Sequence, residues 1–294
     1  MDNSHVSEVG SGLSVDYCAD LSSGLSVVDP SRNCYADNSN LLAYVSNGLS
    51  VSSTFNEPVG IDTVVSVEGF TTVYVADGLN HCIRKVTSDG LSEVVAGTCG
   101  TSGVASGAKE DARFDYPAGL VLVNNDFYVA DRNNHCIKKV NMDGSVIEFA
   151  GLCGNEGVED GTGTLARFNN PTGVEIVNGM LYVADKGNHC IRSVDLGSGA
   201  VVTIAGKCGE SGDVVGVIGS DARFDSPTDL AFNALENEVY ITDNANNKIK
   251  RLEFAGMGVV TYAGSGGSVP GAGFTLPYAL TFDVVSNSLY IADT

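Results

Sequence analysis

Aspartate, asparagine, histidine and cysteine recur in this chain in one fixed order, Asp-x-x-Asn-His-Cys. Three stretches carry the full order, and a fourth keeps the aspartate but continues with Asn246 and Asn247. Carboxylates and imidazoles bind metal ions and transfer protons, so these residue types could form a metal or acid–base site. If the repeated units are arranged in a circle, however, their equivalent residues lie too far apart to share one ion unless they point inward. An aspartate followed three residues later by asparagine is also typical of a turn that caps its own backbone N–H groups.

We therefore predict structural roles for these repeated polar residues, with no metal site, cofactor or catalytic residue among them. An active-site histidine normally breaks a repeat, whereas these histidines follow it. The sequence also lacks an HExxH helix and a GxSxG turn. The residues assigned a structural role are Asp77, Asn80, His81, Asp131, Asn134, His135, Asp185, Asn188, His189 and Asp243.

Six of the eight cysteines form three pairs with nearly constant spacing. The members are 17, 17 and 18 residues apart, in the pairs Cys82 and Cys99, Cys136 and Cys153, and Cys190 and Cys208. Repeat units that lack one member also lack the other, so we predict three disulfides, each within one unit. A zinc site is disfavoured because His81 and Cys82 are adjacent on a strand and point to opposite faces. A further pairing, Cys18 with Cys34, stays open.

Paired cysteines predict an extracellular or cell-surface location, because disulfides persist in oxidising compartments. The chain has no Asn-x-Ser/Thr glycosylation sequence in which x is a residue other than proline, and its first residues do not resemble a signal peptide. A cytoplasmic location therefore also stays open. No run approaches the ~18 apolar residues of a membrane helix, so we predict no membrane insertion by this chain.

Short β-rich runs, separated by Gly, Asn, Asp and Pro, position the repeated polar residues. The tyrosine that begins each Tyr-Val-Ala-Asp-like run recurs at intervals of 54, 54, 58 and 50 residues. Fixed-period similarity of this kind indicates a repeat architecture. In the clearest unit the predicted strands are 119–123, 127–130, 136–140 and 145–150. Four antiparallel strands in each unit, arranged radially, predict an all-β propeller.

The units start near residues 21, 58, 117, 171, 227 and 277. We expect five complete four-stranded blades and an incomplete sixth, which together make one propeller domain over 21–294. Residues 1–20 are expected to be partly disordered or to supply one closing strand. Because the last unit stops after its second strand, we expect this chain to be a fragment of a longer one.

The run Tyr-Val-Ala-Asp-x-x-Asn-His-x-Ile-Arg-Lys-Val, preceded by Phe-x-x-Pro-x-Gly-Leu, resembles the NHL repeat family. The resemblance covers about residues 21–294 and is clearest at Asn80–His81, Asn134–His135 and Asn188–His189. It implies an NHL-type β-propeller, usually six-bladed, that serves as a binding platform. Members of the family recognise RNA or proteins, act as extracellular sensors, or in some cases are lyases or hydrolases. The fold alone therefore does not settle the function.

The chain is strongly acidic, with 36 Asp and Glu residues against 16 Lys and Arg residues and a net charge of −20. This charge disfavours nucleic acid, whose phosphates are bound by Lys and Arg. Protein partners and cationic ligands remain. The loops that join blades, 98–113, 152–167 and 207–223, differ in sequence while the strands repeat, and such loops commonly carry binding sites.

We therefore predict a non-catalytic scaffold that binds a protein or cationic ligand on its loop face. The alternative is a lyase or hydrolase with an active site at the mouth of the channel. That alternative needs an ionisable residue that breaks the repeat. Asp229, which replaces the glycine at positions 60, 119 and 173, is the candidate.

Overall fold

The structure is a computed structural model that describes residues 5–9, 54–66, 69–88, 90–254, 256, 258–269 and 273–293. The unit predicted near residue 21 and the pair Cys18–Cys34 lie outside the described residues. The number of blades therefore stays a prediction, as does the domain boundary at residue 21.

Four antiparallel sheets of four successive strands make up most of the described chain. Their strands are β2 Pro58–Val65, β3 Thr71–Asp77, β4 Cys82–Val86 and β5 Ser92–Ala96; β6 Pro117–Val123, β7 Asp126–Asp131, β8 Cys136–Val140 and β9 Val146–Ala150; β11 Pro171–Val177, β12 Met180–Asp185, β13 Cys190–Asp195 and β14 Ala200–Ala205; and β15 Pro227–Asn233, β16 Glu238–Asp243, β17 Lys248–Glu253 and β18 Gly258–Ala263. A short strand, β10 Gly161–Thr162, adds to the outer edge of β14.

A further sheet combines strands from distant parts of the sequence. Strand β19 Pro277–Asp283 pairs with β20 Ser288–Asp293, and β1 His5–Val9 pairs antiparallel with β20. Strand β1 thus holds the place that the third strand holds in the other sheets. Within the described residues this sheet has three strands.

The helical elements of the described residues are single 3-10 turns. They are Gly78–Asn80, Arg132–Asn134, Gly163–Leu165, Lys186–Asn188, Gly219–Asp221 and Asn244–Asn246. Four of them join the second and third strands of a sheet, directly after the repeated aspartate. No helix in the described ranges is long and apolar enough to cross a membrane.

The sheets pack face to face around an axis, with the first strand of each sheet innermost. Strand β2 contacts β6, β6 contacts β11, β11 contacts β15, and β15 contacts β19. Each inner strand begins at a proline, where the missing N–H costs no ladder bond. The predicted all-β propeller with four-stranded blades is therefore present.

Close approach of the inner strands explains the glycine that recurs there. A Cβ atom on Gly60 would lie 2.3 Å from the Ala118 carbonyl oxygen, and one on Gly119 would lie 2.4 Å from that of Thr172. No side chain fits in that space. In the sheet β15–β18 this position holds Asp229, whose own atoms approach the backbone of Gly173.

The phenylalanine that precedes each inner strand packs between neighbouring sheets. Phe114 is fully buried in a cluster that joins Tyr74 and Ile83 of one sheet to Leu120 and Val129 of the next. Phe168 and Phe224 are buried at the equivalent joints. Burial of large aromatic side chains is a major contribution to core stability, so these residues hold the blades together.

Candidate functional site

The three predicted disulfides are present, and they anchor the loops that join successive blades. The Cα atoms lie 5.1 Å apart in each of the pairs Cys82–Cys99, Cys136–Cys153 and Cys190–Cys208. In each pair the first cysteine begins the third strand of a sheet and is buried. The second lies at the start of the loop. Each bridge therefore fixes the beginning of a loop to the sheet that the loop leaves.

The repeated aspartate is buried and fully engaged by groups of its own chain. In the sheet β6–β9, Asp131 Oδ1 accepts a hydrogen bond from the Asp115 amide at 2.7 Å. Its Oδ2 accepts from Asn134 Nδ2 at 2.7 Å and pairs with Lys138 Nζ at 2.9 Å. The aspartate thus holds together the chain segment before the inner strand, the turn after β7 and the middle of β8.

The same arrangement recurs in the neighbouring sheets, with a different cation in some of them. The Asp–Asn–cation groups are Asp77, Asn80 and Arg84; Asp185, Asn188 and Arg192; and Asp243, Asn246 and Lys250. Burial raises the pKa of Asp185 to about 6, while the Arg192 charge and its hydrogen bonds oppose that rise. The carboxylate is therefore ionised at neutral pH and paired with the arginine.

Each repeated histidine forms a joint to the next blade. His81, His135 and His189 have φ angles of 56°, 57° and 58°, in the left-handed region. Their Nδ1 atoms accept hydrogen bonds of 3.1, 3.1 and 3.0 Å from the backbone amides of residues 116, 170 and 226, which directly precede the next inner strands. This geometry makes the imidazole a structural acceptor.

The blade-joining loops are tied down along their length. Asn134 Nδ2 donates to the Gly103 carbonyl at 2.6 Å, and Lys138 Nζ donates to the Val104 carbonyl at 3.1 Å. The loop then crosses to the outer edge of the next sheet, where Gly107 pairs with Val146. The loop 152–167 also crosses to the outer edge of the next sheet, where its short strand β10 pairs with β14. The motif residues thus shape the loop face without being exposed on it.

What the loops expose is a mixture of valines and carboxylates. Val104, Val158 and Val214 are 50%, 43% and 46% exposed and lie at nearly equivalent loop positions. Around them the exposed acidic residues include Glu110, Glu156, Glu159 and Glu210. The loop surface therefore combines apolar contact area with negative charge.

Asp229 lies in the wall between inner strands and is 1% exposed. Its Oδ2 accepts a hydrogen bond from the Leu280 amide of β19 at 2.9 Å. Asp62 makes a similar contact between the sheets β2–β5 and β6–β9, where its Oδ2 accepts from the Leu122 amide at 2.6 Å. Both carboxylates thus bridge neighbouring inner strands. This geometry gives Asp229 a packing role and does not leave it free at the channel mouth.

A third carboxylate of the inner strands, Glu175, was not found by the sequence analysis. Burial raises the pKa of Glu175 to about 8, and the nearby charges of Asp229 and Asp62 contribute to that rise. Its signal in the sequence is a break in the repeat, since Val121 and Ala231 occupy the equivalent position in adjacent sheets. In the part of the chain that the structure describes, no group of three or more His, Cys, Asp or Glu residues could hold a metal ion.

Comparison with known proteins agrees with these features. The model of the NHL repeat family matches residues 114–140 and 168–192, which contain two of the Asp-x-x-Asn-His units. The chain is an NHL-repeat protein. NHL repeat-containing protein 2 of Bos taurus is 28% identical over 291 residues, covering 84% of this chain and 39% of that protein. The chloroplastic protein SUPPRESSOR OF QUENCHING 1 of Arabidopsis thaliana is 30% identical over 271 residues, covering 84% of this chain and 25% of that protein.

This NHL-repeat chain therefore spans less than half the length of these curated relatives. Among solved structures, an auxiliary nutrient binding protein from Bacteroides thetaiotaomicron superposes with a TM-score of 0.61 at 15% identity, over 83% of this chain and 58% of that one. The nidogen/laminin complex gives a TM-score of 0.54 at 16% identity, over 85% of this chain and 80% of that one. At these identities the similarity establishes the fold alone.

The buried ion pair yields a stability prediction. We expect Asp131→Asn to lower the free energy of unfolding by about 3 kcal/mol, because it leaves the buried Lys138 ammonium without its counter-charge. Replacing both partners, as Asp131→Asn with Lys138→Met, should restore part of that loss. Urea denaturation measures both. Asp143→Asn, in the exposed turn before β9, is the control, and an equal loss in the control would contradict the prediction.

Glu175 yields a pH prediction. Its folded-state pKa of about 8 lies above the ordinary value of 4.5, so the folded protein binds a proton that the unfolded chain releases. The stability that this proton provides is complete below pH 4.5 and is lost as the pH rises through about 8, a difference on the order of 3 kcal/mol. We expect Glu175→Gln to flatten this decline.

The measurement is the free energy of unfolding of both proteins by urea at pH 6 and pH 9. The free energy of unfolding of Glu175→Gln, relative to that of the wild type, should increase as the pH rises. Glu236→Gln, at an exposed turn, should follow the wild type at both pH values. A decline of the same size in Glu175→Gln would show that other groups cause it.

Proposed function

We propose that this NHL-repeat propeller is a non-catalytic scaffold whose loop face binds a protein or cationic ligand. The observation that carries the proposal is the composition of that face. Exposed valines such as Val104 and Val158 stand among exposed carboxylates, on loops that disulfides and buried side chains hold in place. Preformed loops lose little conformational entropy when they bind, and acidic side chains attract basic partners.

The fold is compatible with binding. It occurs in the nidogen/laminin complex and in an auxiliary nutrient binding protein. The alternative function, a lyase or hydrolase that uses Asp229, gains no support from the geometry, because that carboxylate is buried and accepts the Leu280 amide. Nucleic acid remains a disfavoured partner because of the net charge of −20.

Substitutions at the exposed tip of one loop test the proposal without disturbing its anchors. The variant Glu156→Gln with Val158→Ser removes one charge and one apolar side chain, and it leaves Cys153 and Arg167 in place. Leu235→Ser with Glu236→Gln makes the same two changes in the exposed turn between β15 and β16, at the opposite end of the sheet. The probe is a short synthetic peptide of lysine, leucine and glycine in which the leucines follow neither a strand nor a helix period.

We expect wild-type protein to bind this immobilised peptide, with an affinity that falls as salt rises from 50 to 300 mM. The loop variant should bind several-fold more weakly, the opposite-end variant should bind like the wild type, and a DNA oligonucleotide should not bind near physiological salt. The readout is the equilibrium dissociation constant, with the melting temperature as a check on folding. Equal binding by both variants would argue against the loop face.

We also propose an extracellular or cell-surface location, supported by the three disulfides. Peptide mapping without reducing agent, on protein from its native source, should recover each pair of cysteines as one linked peptide. Alkylation before digestion prevents exchange during the experiment. Six freely alkylated cysteines at these positions would contradict both the bridges in the cell and the proposed location.

A further inference from the structure

Two basic residues break the repeat at one position, directly after the motif aspartate. Arg132 follows Asp131 and Lys186 follows Asp185, whereas the other described sheets have Gly78 and Asn244 there. Both residues begin the 3-10 turn between the second and third strands, at the loop-face end of their sheets. A departure from an otherwise regular repeat is where a specific site is to be sought.

The two side chains turn toward the axis of the propeller, where each one meets a tyrosine. The Arg132 guanidinium lies 4.9 Å from the centre of the Tyr116 ring, and Lys186 Nζ lies 5.6 Å from that of Tyr278. Tyr116 directly precedes an inner strand and Tyr278 is the second residue of another. The sheet of Lys186 and the sheet of Tyr278 are separated by the whole sheet β15–β18. Because the Lys186–Tyr278 contact passes over an intervening sheet, both side chains lie at the mouth of the channel.

Neither cation has a counter-ion among the described residues. The side chains of Arg132 and Lys186 form no ion pair or hydrogen bond with described residues, and Arg132 Nε is buried without a partner. The carboxylate beside this group, Glu57, instead accepts a hydrogen bond from Tyr116 Oη at 2.9 Å. By contrast, the cations of the repeated motif, such as Lys138, are ion-paired with the aspartates.

The electrostatics of Lys186 agree with two like charges held together. Burial and the nearby charge of Arg132 lower the pKa of the Lys186 ammonium to about 8. Two partly desolvated cations at equivalent positions of neighbouring sheets repel each other, and an anion bound between them relieves that repulsion. The tyrosine rings hold the cations in place by cation–π contacts without neutralising them.

We propose that Arg132 and Lys186 form a binding site for a small oxyanion at the loop-face mouth of the channel, taking the carboxylate or phosphate group of a ligand. The arginine offers a planar fork of N–H donors and the lysine offers a point charge, a combination suited to oxyanions. The carboxylates Asp62 and Asp229 on the inner strands repel an anion that moves further in. The anion is therefore retained at the mouth.

This site goes beyond the proposed function of the loops and is opposite in charge to them. The loop surface at the periphery is acidic, so long polyanions are repelled, while a small anion that reaches the centre meets two cations. Failure of one proposal leaves the other standing. The two surfaces are tested with different probes and different variants.

The chain itself suggests the test variants, because asparagine occupies the same position in the sheet β15–β18. Arg132→Asn and Lys186→Asn are therefore expected to fold. Lys207→Asn, which removes the same charge from a loop residue that pairs with Glu210, is the matched control. Inorganic phosphate and succinate are titrated separately into each protein by isothermal calorimetry at low ionic strength.

We expect saturable 1:1 binding of at least one of the two anions to wild-type protein. Each asparagine variant should weaken it about tenfold or more, since a charge-assisted hydrogen bond is lost, and Lys207→Asn should change it less than twofold. Binding of phosphate alone would assign a phosphoryl group, and binding of succinate alone would assign a carboxylate. Absence of saturable binding of both anions, or retention of the wild-type affinity in a variant that carries both Arg132→Asn and Lys186→Asn, would overturn the proposal.

A second measurement needs no variant. Lys186 should react with an acylating reagent near pH 8, and a saturating concentration of the bound anion should slow that reaction several-fold, as measured by peptide mass spectrometry. Lys207 in the same sample is the internal control and should be unaffected. Equal rates at Lys186 with and without the anion would count against the site.

Discussion

The structure depends on keeping a carboxylate charged where water does not reach it. An isolated buried carboxylate is so unfavourable that it needs several partners at once. Asp131 obtains them from the amide of Asp115, the side chain of Asn134 and the ammonium of Lys138. These partners come from the segment before the inner strand, the turn and the third strand. Satisfying one charge therefore fixes three parts of the blade relative to one another.

The same partners extend the constraint beyond the blade. Asn134 and Lys138 also donate to carbonyl groups of the loop that arrives from the preceding blade. The disulfide holds the other end of that loop. The position of the loop face thus follows from buried electrostatics and from the disulfides that tie each loop to its sheet, and not from contacts on the face itself. This separation allows exposed loop residues to differ while the framework repeats.

Features that depend on nearby residues could be predicted from the sequence. The strands after residue 58, the aspartate turns and the three disulfides all arise from residues within one unit. The sequence analysis did not identify the cation that pairs with the motif aspartate. That cation always stands seven residues after the aspartate, as Arg84, Lys138, Arg192 or Lys250. A basic residue on a short strand resembles an ordinary solvated charge, and only the fold shows that it is buried.

Contacts between side chains of different units could not be predicted in this way. Glu175, Asp62 and Asp229 belong to different units, and so do Lys186 and Tyr278. Which of these side chains face the axis depends on strand register and on the number of sheets, neither of which is encoded near the residues concerned. Their only trace in the sequence is a departure from the repeat, and the structure is needed to show which departures meet.

The pairing of β1 with β20 has a kinetic consequence. Residues near the two ends of the described chain, such as His5 and Asp293, must come together before this sheet is complete. The other sheets form from neighbouring strands, whereas this pairing has a very large sequence separation and requires the closure of a long loop. On a ribosome, the early strand would wait unpaired while almost all of the remaining blades are synthesised. We therefore expect this sheet to be the last and slowest of the described sheets to form.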